Sequence, residues 1–345
     1  MVMIAKICKR HSAIFAAMKI LVIRFSSIGD IVLTTPVLRC IKAQLKEVEL
    51  HYLTKDSFKE LLIANPNVDK VHVLKDDLGE TVKALKEENF DIIVDLHKNL
   101  RTKYVKRKLG VRSVAFNKLN PEKWFMVNFK MNRLPKVHIV DRYFEAVEHL
   151  GVTKDEMGLD HFIPSGEDID LGTLPKSHQQ GYIAFAIGGA HFTKRLPDHK
   201  IIEICELLGM PVVLLGGPDD VKTANYIEHH LGGQVLNMVG QVSLNGSASL
   251  VKQAESVITH DSGMMHIAAA FNKNIVSIWG NTIPDFGMYP YMPRFPERVH
   301  IIQVNRLSCR PCSKIGYDKC PKGHFKCMEQ IDVKAVVRAA AFVLS

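Results

Sequence analysis

Residues 19–38, KILVIRFSSIGDIVLTTPVL, contain the strongest structural signal in the chain. The segment 19–25 is mostly apolar and rich in β-branched side chains, which is typical of a buried strand. The turn SSIGD follows at positions 26–30, and an apolar helical pattern runs from Ile31 to Leu45. A strand, a tight turn and a helix in this order predict the first unit of a parallel α/β sheet.

The same unit recurs along the chain. Strand patterns at 48–54, 68–74 and 91–97 precede helical patterns near 57–64, 79–88 and 98–109. Gly, Pro, Asp and Ser are then frequent up to residue 180, which indicates a linker. A second series begins with YIAFAI at 182–187 and includes helical patterns at 198–208, 219–230 and 264–271.

This alternation predicts an α/β chain with two Rossmann-like domains that face each other across a cleft. The expected organisation is a disordered extension (1–17), a first domain (18–160), a linker (161–180), a second domain (181–331) and a C-terminal helix (332–345). We expect that helix to act as a lid or a cross-over between the domains.

The composition is that of an ordinary globular protein. The 345 residues are 47% hydrophobic and 23% charged, which excludes a disordered chain and a small disulfide scaffold. The apolar runs are far shorter than the ~20 residues of a membrane span, and a cytoplasmic location is expected by default. The net charge of +9 favours anionic partners, such as phosphorylated substrates, acidic lipids or nucleic acid.

Functional residues are expected in the turns after the strands, because open α/β sheets bind ligands there. In the first turn, Gly29 permits a close approach, and Asp30 is either a helix N-cap or a carboxylate facing the cleft. Spacing alone favours the N-cap. The turn GGAHFTKR at 188–195 combines two glycines with Lys194 and Arg195, which suits either an anion site or a solvated loop.

Two later turns contain acidic residues. Asp219 and Asp220 follow a buried strand, where an acidic residue can accept hydrogen bonds from a ribose, and at least one of the two is expected to cap the next helix instead. The turn THDSGMMH at 259–266 opens an apolar helix, and the free N–H groups of a helix start suit a phosphate. Alternatively, Asp261 and Ser262 only cap that helix and His266 is structural.

Other nucleotide-binding motifs are missing. No GxGxxG follows a strand and no GxxxxGK[ST] is present, which disfavours a dinucleotide dehydrogenase and excludes a P-loop NTPase.

Three of these segments together resemble glycosyltransferase family 9, the ADP-heptose:lipopolysaccharide heptosyltransferases. HDSGMMHIAAAFNKNIVSIWGNTIPDF at 260–286 is similar to the family's D-S-G-x-M-H-x-A-A-A signature, and residues 19–38 resemble its opening strand and catalytic turn. GGAHFTKRLP at 188–197 resembles its P-G-A-x-x-x-x-K-R-W-P segment, with Leu196 in place of Trp and Gly188 in place of Pro.

The resemblance implies the GT-B fold and an inverting transfer, without metal or cofactor, from an ADP-heptose donor to a lipopolysaccharide inner-core acceptor. Asp30 matches the catalytic base, which takes the proton of the acceptor hydroxyl. Lys194 and Arg195 would neutralise charge on the departing ADP. The other donor-binding positions implied by the match are Gly189, Thr193, Asp219, Asp261, Ser262, Gly263 and His266.

The acceptor is expected to bind the first domain. The basic segment HKNLRTKYVKRKLGVR at 97–112 follows a strand end. Charge runs are usually solvated faces, but this position favours contact with anionic core sugars or the inner-membrane surface. The candidate acceptor-binding residues are Ser27, Gly29, His97, Lys98 and Arg101.

Residues 309–327 are rich in cysteine. Cys309, Cys312, Cys320 and Cys327, with His324 as a substitute ligand, suit a structural zinc ion. The spacing departs from that of zinc fingers, so free or paired thiols are an equal alternative. The segment also resembles a C-x-P-C…C-P-x-x-H-x-C stretch of the family's second-heptose branch.

Two rival functions stay open at this point. One keeps the fold and uses another nucleotide-sugar donor or another acceptor. The other is a nucleic-acid-binding module with a zinc knuckle, which is disfavoured because Tyr104 is the only aromatic residue within the basic run. We therefore expect no nucleic-acid partner.

Overall fold

A computed structural model of the chain describes residues 17–341. The predicted N-terminal extension therefore lies, apart from residue 17, outside the described residues. None of the helices in the described part is both long and apolar enough to cross a bilayer.

The described chain forms two wholly parallel sheets, as predicted. The first sheet has the strand order β3-β2-β1-β4-β5, and the second has the order β11-β10-β9-β6-β7-β8. The strands are β1 (Met18–Ile23), β2 (Val48–Lys55), β3 (Lys70–Leu74), β4 (Ile92–Asp95), β5 (Ser113–Ala115), β6 (Ile183–Ala186), β7 (Val212–Leu215), β8 (Val235–Asn237), β9 (Ser256–His260), β10 (Asn274–Trp279) and β11 (Val299–Gln303).

The α-helices are α1 (Ile28–Val32), α2 (Thr35–Gln44), α3 (Leu78–Glu87), α4 (Leu100–Leu109), α5 (Asn120–Phe129), α6 (Ile139–Glu145), α7 (Lys176–Gln179), α8 (Asp198–Leu208), α9 (Val221–Leu231), α10 (Leu244–Gln253), α11 (Gly263–Ala270), α12 (Lys326–Glu329) and α13 (Val333–Ala340). The predicted helix at 57–64 is wrong, because a short 3-10 helix, Asp56–Leu61, takes its place. The Asn65-Pro66 pair stops any extension, since a residue before proline avoids the helical region.

The central strands are apolar because both faces of each sheet are covered. The residues Ile20 to Ile23 of β1 are fully buried, as are Val212 to Leu215 of β7. One hydrophobic cluster includes Ile31 of α1 and Met265 of α11, so the apolar core continues from one domain into the other.

Polar contacts of α6 also join the domains. The Ile139 N–H donates to the Gly287 carbonyl at 2.8 Å. The buried Arg142 donates to the carbonyl oxygens of Asn117 and Phe286 at 3.3 and 3.2 Å. These bonds fix the two sheets relative to each other and thereby fix the width of the cleft.

The connecting segments pack on the second domain. In the predicted linker, the Ile169 N–H donates to Ser249 Oγ of α10 at 2.9 Å. The C-terminal helix α13 contacts α8 and strands β9, β10 and β11. All of these elements belong to the second domain, so the expectation of a lid or a cross-over was wrong.

Candidate active site

Two helix starts, one from each domain, meet in the cleft. A Cβ atom added to Gly29 of α1 would lie 2.5 Å from Cδ2 of His266, and one added to Gly263 of α11 would lie 2.7 Å from Cγ2 of Ile28. Carbon atoms in contact are normally about 3.5–4.0 Å apart, so both positions require a residue without a side chain. The SSIGD turn and the HDSG turn are therefore neighbours in space.

Asp30 lies inside α1 and not at its N-cap. Ser27 occupies the N-cap, and Asp30 is the third helical residue. The Asp30 carboxylate accepts hydrogen bonds from the Ser27 N–H at 3.2 Å and from Ser27 Oγ at 2.8 Å. Arg24 forms an ion pair with its other oxygen at 2.5 Å. The predicted acceptor residue Ser27 thus positions the predicted base.

The surroundings keep Asp30 ionised at neutral pH. Burial alone raises the pKa of its carboxyl, but the Arg24 charge and the bonds from Ser27 outweigh burial and hold the pKa below its usual value. The side chain is 18% exposed. The carboxylate can therefore reach a substrate and accept a proton from it.

On the facing side, Lys194 and Asp261 form an ion pair. Lys194 Nζ lies 2.6 Å from Asp261 Oδ2, which also accepts a hydrogen bond from Thr282 Oγ1 at 2.8 Å. Ser262 stands at the N-cap of α11, with its Oγ 3.2 Å from Thr259 Oγ1. The structure thus brings three predicted donor residues to one edge of the second sheet.

Arg195 pairs with the second of two adjacent aspartates. Arg195 Nη1 lies 3.0 Å from Oδ1 of Asp220, whose Oδ2 accepts the Gly217 N–H at 3.0 Å. Asp220 is buried, whereas the predicted Asp219 is exposed. The sequence analysis named both aspartates but chose Asp219 for the site, although the place of Asp220 three residues after a potential N-cap was a signal for an inward carboxylate.

The other predicted residues of the 188–195 turn have supporting positions. Thr193 is buried and exchanges two hydrogen bonds with the Tyr317 backbone, accepting from its N–H at 2.9 Å and donating to its carbonyl at 3.1 Å. Its side chain therefore holds this turn against the cysteine-rich segment instead of facing the cleft. A Cβ on Gly189 would lie 3.2 Å from Cγ of Arg195, so glycine leaves room for that side chain.

Two buried histidines support the site. His266 packs against Gly29, and burial lowers its pKa to about 4. His260, which the sequence analysis did not single out, accepts the Leu196 N–H at 3.0 Å through Nε2 and lies 3.3 Å from the Gly188 carbonyl through Nδ1. This geometry requires a neutral imidazole, consistent with a pKa that burial lowers to about 4. His260 thus fixes both ends of the Lys194 turn.

The predicted acceptor residues occupy different places. His97 packs on Phe25, with ring centroids 4.9 Å apart, and burial lowers its pKa to about 4. It lies close enough to Arg24 and Asp30 to feel their charges. Lys98 instead donates from Nζ to the Phe116 carbonyl at 3.0 Å, and Arg101 is exposed on α4.

The sequence analysis missed a group of lysines around Asp30. Burial lowers the pKa of Lys123 to about 8 and also lowers that of Lys118. Both ammonium groups interact with Asp30 and with Lys314 of the cysteine-rich segment. Lys118 lies just before α5 and Lys123 lies within it, whereas Lys314 comes from the cysteine-rich segment, and together their charges create a positive field near Asp30.

The cysteine-rich segment braces the cleft. The Cys312 N–H donates to the Asn281 carbonyl at 3.2 Å, and Lys130 Nζ donates to the Pro311 carbonyl at 2.6 Å. Cys309 Sγ lies 3.9 Å from Nε2 of His324. Within residues 17–341, however, no three donor atoms of this segment lie within 4.8 Å of one another. The described residues therefore do not show a zinc site in this segment, and the zinc stays a prediction.

Comparisons with known proteins agree with this architecture. The family model described as glycosyltransferase family 9 (heptosyltransferase) matches residues 79–319. Lipopolysaccharide heptosyltransferase 1 of Campylobacter coli is 23% identical over 295 residues, which cover 77% of this chain and 84% of that protein.

Solved structures are similar over nearly the whole chain. A glycosyl transferase family 9 protein from Veillonella parvula has a TM-score of 0.75 at 23% identity, over 95% of this chain and 98% of that one. The E. coli ADP-heptose lps heptosyltransferase II has a TM-score of 0.74 at 20% identity, with the same coverage. These likenesses confirm the predicted GT-B arrangement of two Rossmann-like domains.

Proposed function

Because the chain belongs to glycosyltransferase family 9 and is thus a glycosyltransferase, we propose that it transfers heptose from ADP-heptose to an inner-core acceptor of lipopolysaccharide. The transfer proceeds with inversion and without a catalytic metal or cofactor. The single observation that carries this proposal is the contact between the Asp30 turn and the α11 start. The turn that contains Asp30 and the helix start that suits an anion are therefore direct neighbours, one from each domain.

The second domain binds the donor. The start of α11 offers N–H groups to the diphosphate, and Lys194 and Arg195 supply positive charge beside it. Both cations already have carboxylate partners, Asp261 and Asp220. The diphosphate replaces these carboxylates as the counter-ion. As the bond between the sugar and ADP breaks, the two cations stabilise the negative charge on the departing phosphate.

The first domain activates the acceptor. Asp30 removes the proton of the acceptor hydroxyl while that oxygen forms a bond to the anomeric carbon. The C–O bond to ADP breaks on the opposite face of the sugar, so a single displacement inverts the configuration. Arg24 holds Asp30 in the ionised form, and Ser27 orients it. Lys118, Lys123 and Lys314 attract the anionic groups of the core acceptor.

We also place the enzyme at the cytoplasmic face of the inner membrane. Trp124 and Phe129 of α5 are 54% and 57% exposed, and the exposed Lys130 and Arg133 follow directly after this helix. Exposed aromatic residues beside lysines favour an anionic lipid surface. In vesicle flotation, Trp124→Ala and Phe129→Ala should reduce recovery with anionic lipids, whereas Tyr226→Ala, a similarly exposed aromatic of the second domain, should not.

Donor selectivity tests the proposal directly. ADP, UDP and GDP are titrated by calorimetry into the wild type, into Lys194→Ala and into the exposed control Lys334→Ala. Selective binding of ADP that weakens only in Lys194→Ala supports the ADP-sugar donor. Tighter binding of UDP or GDP keeps the transferase but rejects heptose as its donor. Failure to bind any nucleotide refutes the proposed donor site.

Transfer itself is measured with ADP-heptose and heptose-deficient core acceptors. NMR of the product reports the anomeric configuration, and excess EDTA should leave the rate unchanged. The likeness of the cysteine-rich segment to the second-heptose branch favours an acceptor that already contains one heptose. A preference for the acceptor without heptose would instead assign transfer of the first heptose.

A further inference from the structure

A second polar cluster lies in the first domain, at the middle of strands β2 and β3. His51 Nδ1 is 2.9 Å from His72 Nε2, and each imidazole lies 3.9 Å from an oxygen of Glu88. Among residues 17–341 this is the one group of three or more His, Cys, Asp or Glu side chains whose donor atoms all lie within 4.8 Å of one another. The transfer mechanism does not use it.

The distances suit a metal ion. In a tetrahedral zinc site with bonds of about 2.0–2.1 Å, neighbouring donor atoms are roughly 3.3–3.4 Å apart. The observed separations of 2.9 and 3.9 Å bracket this value, so shifts of roughly half an ångström seat an ion. His51 is fully buried, and the Phe90 ring packs edge-on against both imidazoles. The two rings therefore have little freedom to turn away.

A further carboxylate sets the tautomer of His51. Glu49 Oε1 lies 2.7 Å from His51 Nε2. Since an ionised carboxylate only accepts hydrogen bonds, the proton of a neutral His51 lies on Nε2, and the lone pair of Nδ1 points into the cluster. A carboxylate on the far nitrogen is the usual partner of a histidine that binds a metal.

Lys70 supplies the positive charge that the cluster needs when no ion is bound. Its Nζ lies 2.5 Å from Oε1 of Glu88, and Lys19 Nζ lies 3.9 Å from Oε2. The Lys70 side chain is 54% exposed, so it can turn into solvent. Glu88 can then bind an ion through either oxygen.

We propose that His51, His72 and Glu88 bind a divalent transition-metal ion, foremost zinc, with water as the fourth ligand. Two imidazoles and a carboxylate form a ligand set that zinc uses in proteins. The ligands come from β2, from the edge strand β3 and from the residue that ends α3. The ion therefore ties the edge strand and α3 to the sheet, and its role is to stabilise the first domain.

Metal titrations of the full-length chain test this site. After treatment with EDTA, the wild type should bind one more equivalent of Zn²⁺ than His72→Gln or Glu88→Gln, and only the wild type should gain several degrees in Tm from it. The exposed His149 gives a matched control, and His149→Gln should bind like the wild type. Glu49→Gln should weaken zinc affinity about 10- to 100-fold, the usual effect of losing such a partner.

Co²⁺ separates this site from the cysteines, because thiolate ligands add a sulfur-to-metal charge-transfer band that His and Glu do not. The part of the wild-type Co²⁺ spectrum that is lost in His72→Gln should therefore contain no such charge-transfer band. Lys70→Ala, which removes a competing cation, should tighten metal binding several-fold.

Three results would overturn the metal site. They are equal zinc stoichiometry in the wild type and both ligand variants, a Co²⁺ spectrum that His72→Gln leaves wholly unchanged, and a Lys70→Ala variant that loses stability but binds metal no more tightly. If His72→Gln does not fold, Glu88→Gln and Lys70→Ala decide, because they should change metal affinity in opposite directions.

Discussion

A single added methyl group, Gly29→Ala, tests the contact between the two domains. The new Cβ would lie 2.5 Å from Cδ2 and 3.3 Å from Nε2 of His266. Contacts between carbon atoms are normally about 3.5–4.0 Å, so the overlap with Cδ2 is about 1 Å. The His266 ring is 2% exposed, and the helix α11 that carries it packs against α1. The overlap must therefore be absorbed either by strain or by a shift of α1.

Two opposing effects set the magnitude. Alanine in an open helix is more favourable than glycine by about 1 kcal/mol. An extra methyl group in a packed core costs about 1–3 kcal/mol. The clash should outweigh the helix preference and lower the free energy of unfolding by up to about 2 kcal/mol. If α1 instead moves by about 1 Å, Asp30 moves with it, and a misplacement of that size lowers kcat about 100-fold.

Urea unfolding and steady-state heptose transfer measure the two effects separately. Gly233→Ala is the control, because a Cβ there meets no atom within 4 Å, and it should be neutral or slightly stabilising. The double variant Gly29→Ala/His266→Ala should lose less stability than the two single variants together, since the missing ring makes room for the methyl group. A Gly29→Ala enzyme that is more stable than the wild type and has an unchanged kcat would refute the contact.

Three further predictions follow from the site. Asp30→Asn should lower kcat about 100- to 10,000-fold and leave the Kd of ADP within a factor of two; a fully active variant would exclude Asp30 as the base. Asp220→Ala should cost about 1–3 kcal/mol of stability, because it leaves a partly buried arginine unpaired, whereas Asp219→Ala should stay within about 0.5 kcal/mol; equal effects in urea unfolding would contradict this distinction. Stability should fall on acidification from pH 7.5 to 5, because folding depresses the pKa of His260 and His266 to about 4 and the unfolded chain, with a pKa near 6.5, binds more protons. Each histidine contributes about 2 kcal/mol to this fall, so His260→Gln should make the pH dependence shallower, and an unchanged dependence would show that His260 titrates alike in both states.

Local periodicity was sufficient to predict most of the fold. The helix expected at 79–88 occurs as Leu78–Glu87, and the one expected at 198–208 occurs as Asp198–Leu208. Burial of one helix face or of both strand faces leaves a pattern within ten or so residues. The helix α13 has such a pattern, but its packing partner depends on the whole chain. Its helical structure was therefore predictable, and its place against α8 was not.

Site residues were predictable from the sequence where a single turn contains all the residues that determine their roles. The spacing around Asp30 suggested an N-cap, whereas the motif pointed to a catalytic residue. The structure places Ser27 at the N-cap and leaves one Asp30 oxygen for Arg24. Asp219 and Asp220 are adjacent, and the exact geometry of the turn decides which of them points inward. The rule that functional residues follow strand ends does not distinguish two adjacent residues.

The residues that were missed come from distant segments. Lys118, Lys123 and Lys314 meet near Asp30 only because the cysteine-rich segment packs against the cleft. His51 and His72 belong to two strands whose register brings their rings together. No local spacing encodes such contacts between distant segments, whereas the metal site suggested by the crowded cysteines stays a prediction.

The proposed mechanism makes catalysis depend on charged residues of both domains. Arg24 pairs with Asp30 in the first domain, and Lys194 and Arg195 pair with Asp261 and Asp220 in the second. In the proposed mechanism the diphosphate gains the two cations but displaces their carboxylates, so the attraction in the ground state is only partly offset. A larger gain is expected when the phosphate accumulates charge as the sugar leaves, since the cations are already in place and need no reorganisation. The same mechanism requires Asp30 to receive the acceptor proton at that moment, and the absence of side chains at Gly29 and Gly263 lets the two turns lie next to each other.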